Sequence, residues 1–214
     1  MYKNSCTKTW SFNGMKKILA ISPHTDDIEL GCGATLHKYC NDYEIDALAI
    51  SNAQPLATGD PVQEFYNAME VIRVNASFWN FEPRTISIHR QELLDRLWEL
   101  QQERKYDIIF CPSSYDTHQD HQTIQQEVFR AFKHCTILGY EMPWNNRTFR
   151  TDVFVSLSIE DIDAKVEMLD CYKTQLERAF MCKEYVMDIA RTRGLQVGKK
   201  YVESFEAIRI IDPL

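Results

Sequence analysis

The chain has 214 residues, a net charge of −7 and a hydrophobic content of 44%, which is enough apolar material for one buried core. Its 24 lysines and arginines are scattered singly or in pairs, so nucleic acid is not an expected partner. Its apolar runs are shorter than the roughly 20 residues that a membrane span needs. We therefore expect a single domain over residues 1–214 that does not cross a membrane.

The first half of the chain alternates strand-like and helix-like segments. Apolar runs predict strands at residues 17–22, 44–51, 77–81, 107–111 and 136–140. Helical spacing of apolar residues predicts helices at residues 30–39, 61–72, 90–105 and 120–133. This alternation predicts an α/β fold, a mostly parallel sheet with helices on both faces.

Capping residues and glycines mark several helix ends. Asp60 followed by Pro61 is a favourable N-cap and N1 pair, and Ser158 with Asp161 forms a variant capping box. The last third of the chain adds predicted strands at 152–157 and 204–211 and helices at 158–172 and 183–193. The last helix is expected to stop at Gly194. Phe129 and Trp98 are expected to face the core.

Residues 1–14 and the cysteines bear on the location of the protein. Residues 1–14 are mostly polar and lack the apolar segment of a secretory signal. The seven cysteines form no Cys-x-x-Cys pair, and several lie within apolar patterns. Reduced thiols packed as small hydrophobes are typical of a cytoplasmic protein, which is the predicted location.

Two polar loops follow predicted strands. Residues 22–33 read Ser-Pro-His-Thr-Asp-Asp-Ile-Glu-Leu-Gly-Cys-Gly, and residues 116–121 read Asp-Thr-His-Gln-Asp-His. Functional loops of a parallel sheet lie at the carboxyl ends of its strands, so these two are expected to meet at one edge. Acidic residues also favour the first turn of a helix, so either loop alone is more typical of a helix N-terminus than of a metal site. The occurrence of both loops favours metal binding.

The loops supply one metal-ligand set. His24 and Asp27 are three residues apart, so one tight turn can direct both side chains at an ion. His121 completes a set of two imidazoles and one carboxylate, which leaves a coordination position for water. The predicted cofactor is Zn²⁺, and Fe²⁺ suits the same ligands.

The remaining groups of the loops suit acid–base chemistry. Asp26 adjoins a proposed ligand and is placed to take a proton from a water whose pKa the metal lowers. His118 can stabilise an oxyanion and then protonate a leaving amine. Asp120 is expected to hold the tautomer of His118 and to raise its pKa.

The two loops resemble the motifs of one known family. Residues 23–33 resemble the Pro-His-Pro-Asp-Asp-Glu-x-x-Gly-x-Gly signature of the LmbE-like (PIG-L) zinc deacetylases, and residues 116–121 resemble their His-x-Asp-His motif. Weaker similarities occur at residues 59–74, 190–194 and 201–205. The resemblance implies a Rossmann-like fold, a mononuclear metal and hydrolysis of an N-acetyl group, usually from an amino sugar.

The resemblance also implies roles for individual residues, and these agree with the assignment above. By position, the residues that look like metal ligands are His24, Asp27 and His121. Asp26 looks like the general base, and His118 looks like the acid or oxyanion partner, oriented by Asp120.

The sequence departs from the family pattern at a few positions, such as Thr25 in place of the usual proline. No departure falls on a proposed ligand, so activity on a small-molecule N-acetylated sugar is expected. An amidase that acts on a larger thiol or peptide conjugate is one alternative, and an inactive sugar-binding relative is another. A homo-oligomer is left open. Trp144 either lines the pocket or lies outside it, and Glu203 either fixes a loop at the site or begins a strand.

Overall fold

The structure is a computed structural model that describes residues 16–54 and 57–211. The strands are β1 (Lys17–Ser22), β2 (Glu44–Ser51), β3 (Asn75–Phe81), β4 (Ile108–Pro112), β5 (Thr136–Tyr140), β6 (Val153–Leu157) and β7 (Tyr201–Arg209). The α-helices are α1 (Asp27–Tyr39), α2 (Pro61–Val71), α3 (Arg90–Arg104), α4 (Gln119–Ala131), α5 (Ile159–Asp170) and α6 (Lys183–Val197). Two 3₁₀ turns lie at Ile86–His89 and Ala179–Met181.

The strands form one sheet in the order β3-β2-β1-β4-β5-β7-β6. Strands β1 to β5 pair in parallel, and β7 runs antiparallel to both of its neighbours. The chain builds the sheet outward from β1 to β3 and then returns to place β4 on the other side of β1. This reversal leaves a crevice at the carboxyl ends of β1 and β4, where ligands bind in sheets of this kind. The loop after β1 and the loop after β4 are therefore neighbours.

Helices cover both faces of the sheet. One core cluster, with Leu36, Phe65 and Met168 fully buried, lies under α1, α2, α5 and α6. The other, with Leu93 and Val128 fully buried, lies under α3 and α4. The predicted α/β fold, a Rossmann-like and mostly parallel sheet with helices on both faces, is confirmed.

Several sequence predictions match the structure closely. Strands β1, β2 and β5 have their predicted bounds. Asp60 caps α2 by accepting hydrogen bonds from the N–H groups of Val62 and Gln63, and the capping box of Ser158 and Asp161 is present at α5. Residues 1–14 lie outside the described residues, and the single domain over 1–214 stays a prediction. Within residues 16–54 and 57–211, no helix is both long and apolar enough to span a membrane.

Other predictions of element bounds and burial are wrong. Helix α1 begins at Asp27 rather than at residue 30. Helix α6 continues through Gly194 and ends at Val197, and the C-cap residue Gly198 has a φ of 66°, which suits glycine. Gly194 instead permits a close approach, because a Cβ there would lie 2.4 Å from the carbonyl oxygen of Lys199. Two side chains that were predicted to face the core face solvent instead. The exposed fraction is 53% for Trp98 on α3 and 44% for Phe129 on α4.

Candidate active site

The loop after β1 makes a tight turn into α1. Asp26 is the N-cap of α1 with a φ of 127°, a backbone conformation that non-glycine residues rarely adopt. Its carboxylate makes no capping hydrogen bond, whereas the carboxylate of Asp27 accepts from the backbone N–H of His24 at 2.8 Å. The turn thus closes on itself through Asp27 and leaves the side chain of Asp26 free to face the cavity.

Two contacts hold this turn against the sheet. Thr25 is buried, and its hydroxyl accepts a hydrogen bond from the N–H of Ala53 at 3.0 Å. Gly31 lies against the ring of Tyr140, because a Cβ at Gly31 would be 2.4 Å from that ring. The Tyr140 hydroxyl donates to the carbonyl of Ile21 at 2.9 Å. The glycine of the first motif therefore sets how closely α1 packs behind the site.

The loop after β4 is organised by Asp116, which is 1% exposed. One carboxylate oxygen of Asp116 accepts from the backbone N–H of His118, and the other contacts Nδ1 of His121, both at 2.8 Å. His118 is the N-cap of α4, and its Nδ1 accepts from the backbone N–H of Asp120 at 3.2 Å. The sequence reasoning assigned no role to Asp116, since nothing in the motif spacing separates it from the other acidic residues.

The three predicted metal ligands converge. Oδ2 of Asp27 lies 3.4 Å from Nδ1 of His24 and 3.4 Å from Nε2 of His121. The three histidines His24, His118 and His121 also each offer a ring nitrogen within 4.8 Å of the others. The structure thus brings together all the predicted ligands and adds His118 as a fourth group within reach of the same point.

The second nitrogen of each predicted imidazole ligand contacts a carboxylate. Nε2 of His24 lies 3.0 Å from Oδ2 of Asp120, and Nδ1 of His121 lies 2.8 Å from Oδ2 of Asp116. Imidazoles that bind metals typically donate their other N–H to a carboxylate in this way. The donor set and its outer carboxylates therefore fit a divalent cation.

The predicted contact between the Asp120 carboxylate and the His118 ring is not present. Oδ2 of Asp120 accepts instead from the backbone N–H of Arg84 at 2.7 Å and lies against His24. Asp120 reaches His118 only through its own backbone N–H. The reason is local: Asp120 lies in the first turn of α4, so its N–H points at the N-cap while its side chain lies beside the first loop.

The charges of the site are strongly coupled. Burial alone would lower the pKa of His24, but hydrogen bonds to Asp120 and Asp27 raise it to about 9. Burial likewise opposes protonation of His121, and the charge of Asp27 and contacts with Asp116 raise its pKa to about 10. Although burial alone would raise the pKa of Asp27, the two imidazoles hold it well below its usual range. Positive charge is thus favoured at the point that a cation would occupy.

The pKa values of Asp26 and His118 move in the directions opposite to those of Asp27 and His24. Burial, together with the charge of Asp27, raises the pKa of Asp26 well above its usual range, and Arg178 opposes this rise. Burial and the neighbouring imidazoles of His121 and His24 lower the pKa of His118, although Asp120 pulls it upward. Asp120 thus acts on the pKa of His118 in the expected direction, but burial and the two imidazoles outweigh it, and the net shift is downward.

The site opens into a cavity of about 290 Å³. Trp144 lines this cavity and stacks on Phe180, with ring centroids 3.9 Å apart and planes at 9°. Glu203 lies outside it: this residue is buried within β7 and binds Lys165 and the backbone of α1. Asn52 and Gln54 also line the cavity, and the sequence reasoning missed two charged residues of the lining, Arg84 and Arg178.

Comparisons with known proteins identify the family of the chain. A family model described as PIG-L: GlcNAc-PI de-N-acetylase matches residues 19–132. The uncharacterized deacetylase YaiS of Escherichia coli (strain K12) is 29% identical over 174 residues, which are 77% of this chain and 94% of YaiS.

Two solved structures show the same fold at low sequence identity. N,N'-diacetylchitobiose deacetylase from Pyrococcus horikoshii has a TM-score of 0.75 at 18% identity, over 89% of this chain and 83% of that one. GalB, the 4-carboxy-2-hydroxymuconate hydratase of Pseudomonas putida KT2440, has a TM-score of 0.74 at 18% identity, over 94% and 100%. The fold therefore hosts more than one reaction and does not by itself identify the family. The match to the family model identifies it. Because that match spans more than half of the chain and contains both His/Asp loops, the chain belongs to the PIG-L (LmbE-like) deacetylase family.

Proposed function

We propose that the protein is a metal-dependent hydrolase that removes the N-acetyl group from an N-acetylated amino sugar or sugar conjugate. The observation that carries this proposal is the position of Asp27, whose Oδ2 lies 3.4 Å from a ring nitrogen of both His24 and His121. Asp26 and His118 line the same cavity. This arrangement supplies a cation site, a proton acceptor and a hydrogen-bond donor around one substrate position.

The proposed metal is Zn²⁺, and Fe²⁺ suits the same donors. Held by His24, Asp27 and His121, the cation would polarise the acetamide carbonyl and make a nearby water more acidic. Asp116 and Asp120 would orient the two imidazoles through their other ring nitrogens.

Asp26 is proposed to move the proton in both halves of the reaction. It takes a proton from the attacking water as the water oxygen bonds to the carbonyl carbon. It then returns this proton to the amide nitrogen as the C–N bond breaks, so that acetate and the free amine leave. Its raised pKa supports this role, because a carboxyl group that is a stronger base than usual accepts a proton from water more readily.

His118 is proposed to stabilise the negative charge that develops on the carbonyl oxygen. Because Nδ1 of His118 accepts from the N–H of Asp120, the neutral ring carries its proton on Nε2. That N–H can donate to the carbonyl oxygen, a contact that strengthens as the oxygen gains charge. In this proposal the amine is protonated by Asp26 rather than by His118.

The alternative functions, the location and the oligomeric state remain proposals. An amidase that acts on a larger conjugate uses the same groups, and only the substrate separates it from the sugar deacetylase. A binding protein has no need of a free carboxylate on a strained backbone, which disfavours an inactive relative. A cytoplasmic location and a homo-oligomer stay predictions.

The test is acetate release from a panel of N-acetylated amino sugars, free and nucleotide-linked, with and without a chelator. We expect turnover that a chelator abolishes and that added Zn²⁺ or Fe²⁺ restores. Asp26→Asn should keep its metal and lose about 10²–10⁴-fold in kcat, the range of general-base catalysis. Asparagine also tolerates a positive φ, so this variant keeps the turn. His134→Ala, at an exposed histidine away from the cavity, is the control. Chelator-resistant turnover, or near-normal kcat in metal-loaded Asp26→Asn, would contradict the proposal.

A further inference from the structure

Two arginines line the cavity beside the proposed catalytic groups. Arg84 follows β3, and Arg178 lies between α5 and the turn at Ala179–Met181. Their side chains meet at Gln54: Nη2 of Arg84 donates to Oε1 of Gln54 at 2.8 Å, and Nη2 of Arg178 donates to the backbone carbonyl of Gln54 at 3.3 Å. Two segments far apart in sequence thus bring two guanidinium groups to one side of the cavity.

The backbones of both arginines are held in place. The N–H of Arg84 donates to Asp120, and the carbonyl of Arg84 accepts from Gln119 at 2.7 Å, so the first turn of α4 fixes this residue. The N–H of Arg178 donates to the carbonyl of Gln175 at 2.9 Å. The side chain of Gln175 donates in turn to the carbonyl of Gln54 at 3.2 Å. The backbone positions from which the two guanidinium groups extend are therefore anchored next to the site.

Neither guanidinium forms an ion pair within the part of the chain that the structure describes. Arg90, Arg104 and Arg193 each pair with a carboxylate, whereas no carboxylate among residues 16–54 and 57–211 pairs with Arg84 or Arg178. Nε of Arg178 is buried and has no hydrogen-bond partner in that same part of the chain. An anionic ligand in the cavity would supply the counter-charge that these two guanidinium groups lack, through charge-assisted hydrogen bonds.

The adjoining wall of the cavity is aromatic. Trp144, stacked on Phe180, is 43% exposed, and the guanidinium of Arg178 lies 5.7 Å from the ring centroid of Phe180. Aromatic faces pack well against the apolar faces of sugar rings, and guanidinium groups bind phosphate and carboxylate through paired N–H donors. The cavity thus combines a platform for a ring with a site for an oxyanion.

We propose that the substrate is an N-acetylated sugar with an anionic substituent, a phosphate or a carboxylate, that binds Arg178 and Arg84. This inference rests on the proposed deacetylation and adds the charge of the substrate to it. In this proposal the two guanidinium groups at Gln54 bind the anionic substituent of the sugar. The acetamide group of the same sugar then lies at His24, Asp27 and His121. A neutral N-acetylated sugar supplies no counter-charge to the two guanidinium groups and is the poorer substrate.

The test compares kcat/KM for N-acetylglucosamine with kcat/KM for its 1-phosphate, its 6-phosphate and N-acetylmuramic acid. We expect at least one anionic sugar to be preferred by about 10- to 100-fold, the range of a charged hydrogen bond. The phosphates and the carboxylate sugar separate the two kinds of anion. Arg178→Gln and Arg84→Gln should each reduce the ratio of anionic to neutral kcat/KM. Arg191→Gln, at an exposed arginine of α6 that pairs with Asp188, should leave the ratio unchanged.

A second measurement needs no turnover. Calorimetric binding of glucosamine 6-phosphate and glucosamine 1-phosphate should be tighter than binding of glucosamine, and Arg178→Gln should remove most of the difference. Equal kcat/KM for neutral and anionic sugars in the parent protein would overturn the inference. An equal loss on all substrates in Arg178→Gln would also overturn it, since Arg178 would then act through Asp26. If no sugar is deacetylated, the proposed function fails, and the calorimetric comparison still decides whether the arginines bind an anion.

Discussion

Asp116 and His121 are joined by a hydrogen bond of 2.8 Å between Oδ2 and Nδ1. This contact keeps a proton on Nδ1 of His121 and turns the lone pair of Nε2 toward Asp27, 3.4 Å away. The other oxygen of Asp116 accepts from the backbone N–H of His118. One buried carboxylate thus orients a proposed metal ligand and positions the residue proposed to stabilise the oxyanion.

We predict that Asp116→Asn weakens metal binding about 10- to 100-fold, the usual effect of losing an outer carboxylate. The amide turns one acceptor into an NH₂ group, which must face an N–H of either His121 or His118. A competition titration with a chromophoric chelator measures the affinity. Asp188→Asn, at an exposed aspartate on α6, is the matched control. An unchanged metal affinity in Asp116→Asn would show that the contact does not orient a ligand.

We predict that His118→Ala keeps the metal but lowers kcat by about 10²–10³-fold, as for the loss of an oxyanion-stabilising donor. A ring nitrogen of His118 lies within 4.8 Å of those of His24 and His121, so His118 is within reach of the same metal. The prediction therefore distinguishes a site in which His118 is a ligand from one in which it is not. Elemental analysis of His118→Ala beside His121→Ala decides between them. If His118→Ala loses as much metal as His121→Ala, His118 is itself a ligand.

The sequence was sufficient where local patterns and sheet topology decide the outcome. Residues 17–22 and 44–51 are apolar runs bounded by polar residues, so both strands were predicted with their correct bounds. The meeting of the two loops follows from the neighbouring positions of β1 and β4. The hydrogen-bond partner of the Asp120 carboxylate was not predictable from the sequence. The rotamer of this side chain decides whether the carboxylate contacts His24 or His118, and the sequence does not show the rotamer. Arg178 was missed because it reaches the cavity from a turn with no periodic pattern.

We predict that Gly31→Ala destabilises the fold by about 1–3 kcal/mol, the usual penalty for overpacking. The added Cβ would lie 2.4 Å from the ring of Tyr140, which is fully buried and cannot move without breaking its hydrogen bond to Ile21. Gly33→Ala is the matched control in the same helix. Its nearest neighbour would be the methyl group of Met168 at 3.4 Å, so alanine fits and gains helix propensity. Urea unfolding measures both, and equal stabilities would contradict the prediction.

Glu29 provides a prediction of how stability depends on pH. Its side chain is fully buried in α1, where Oε1 accepts from the Tyr172 hydroxyl at 2.5 Å. Oε2 has no partner among the residues that the structure describes. Burial raises the pKa of Glu29 from 4.5 to about 7, and the hydrogen bond from Tyr172 only partly opposes this. The protonated carboxyl is therefore the form that the folded protein favours.

The direction of the pH effect follows from this raised pKa. Below pH 4.5 Glu29 is protonated in both the folded and the unfolded chain. As the pH rises toward 7, the unfolded chain ionises first, so the contribution of Glu29 to stability is lost through this window. Glu29→Gln cannot ionise, and its unpaired amide adds an offset that is the same at every pH. We predict that the parent protein loses about 2–3 kcal/mol relative to Glu29→Gln between pH 5 and pH 8. Urea unfolding at the two pH values measures this difference, with Glu99→Gln at an exposed position of α3 as the control. A stability difference that does not change between pH 5 and pH 8 would show that Glu29 is ionised in the folded protein throughout this range.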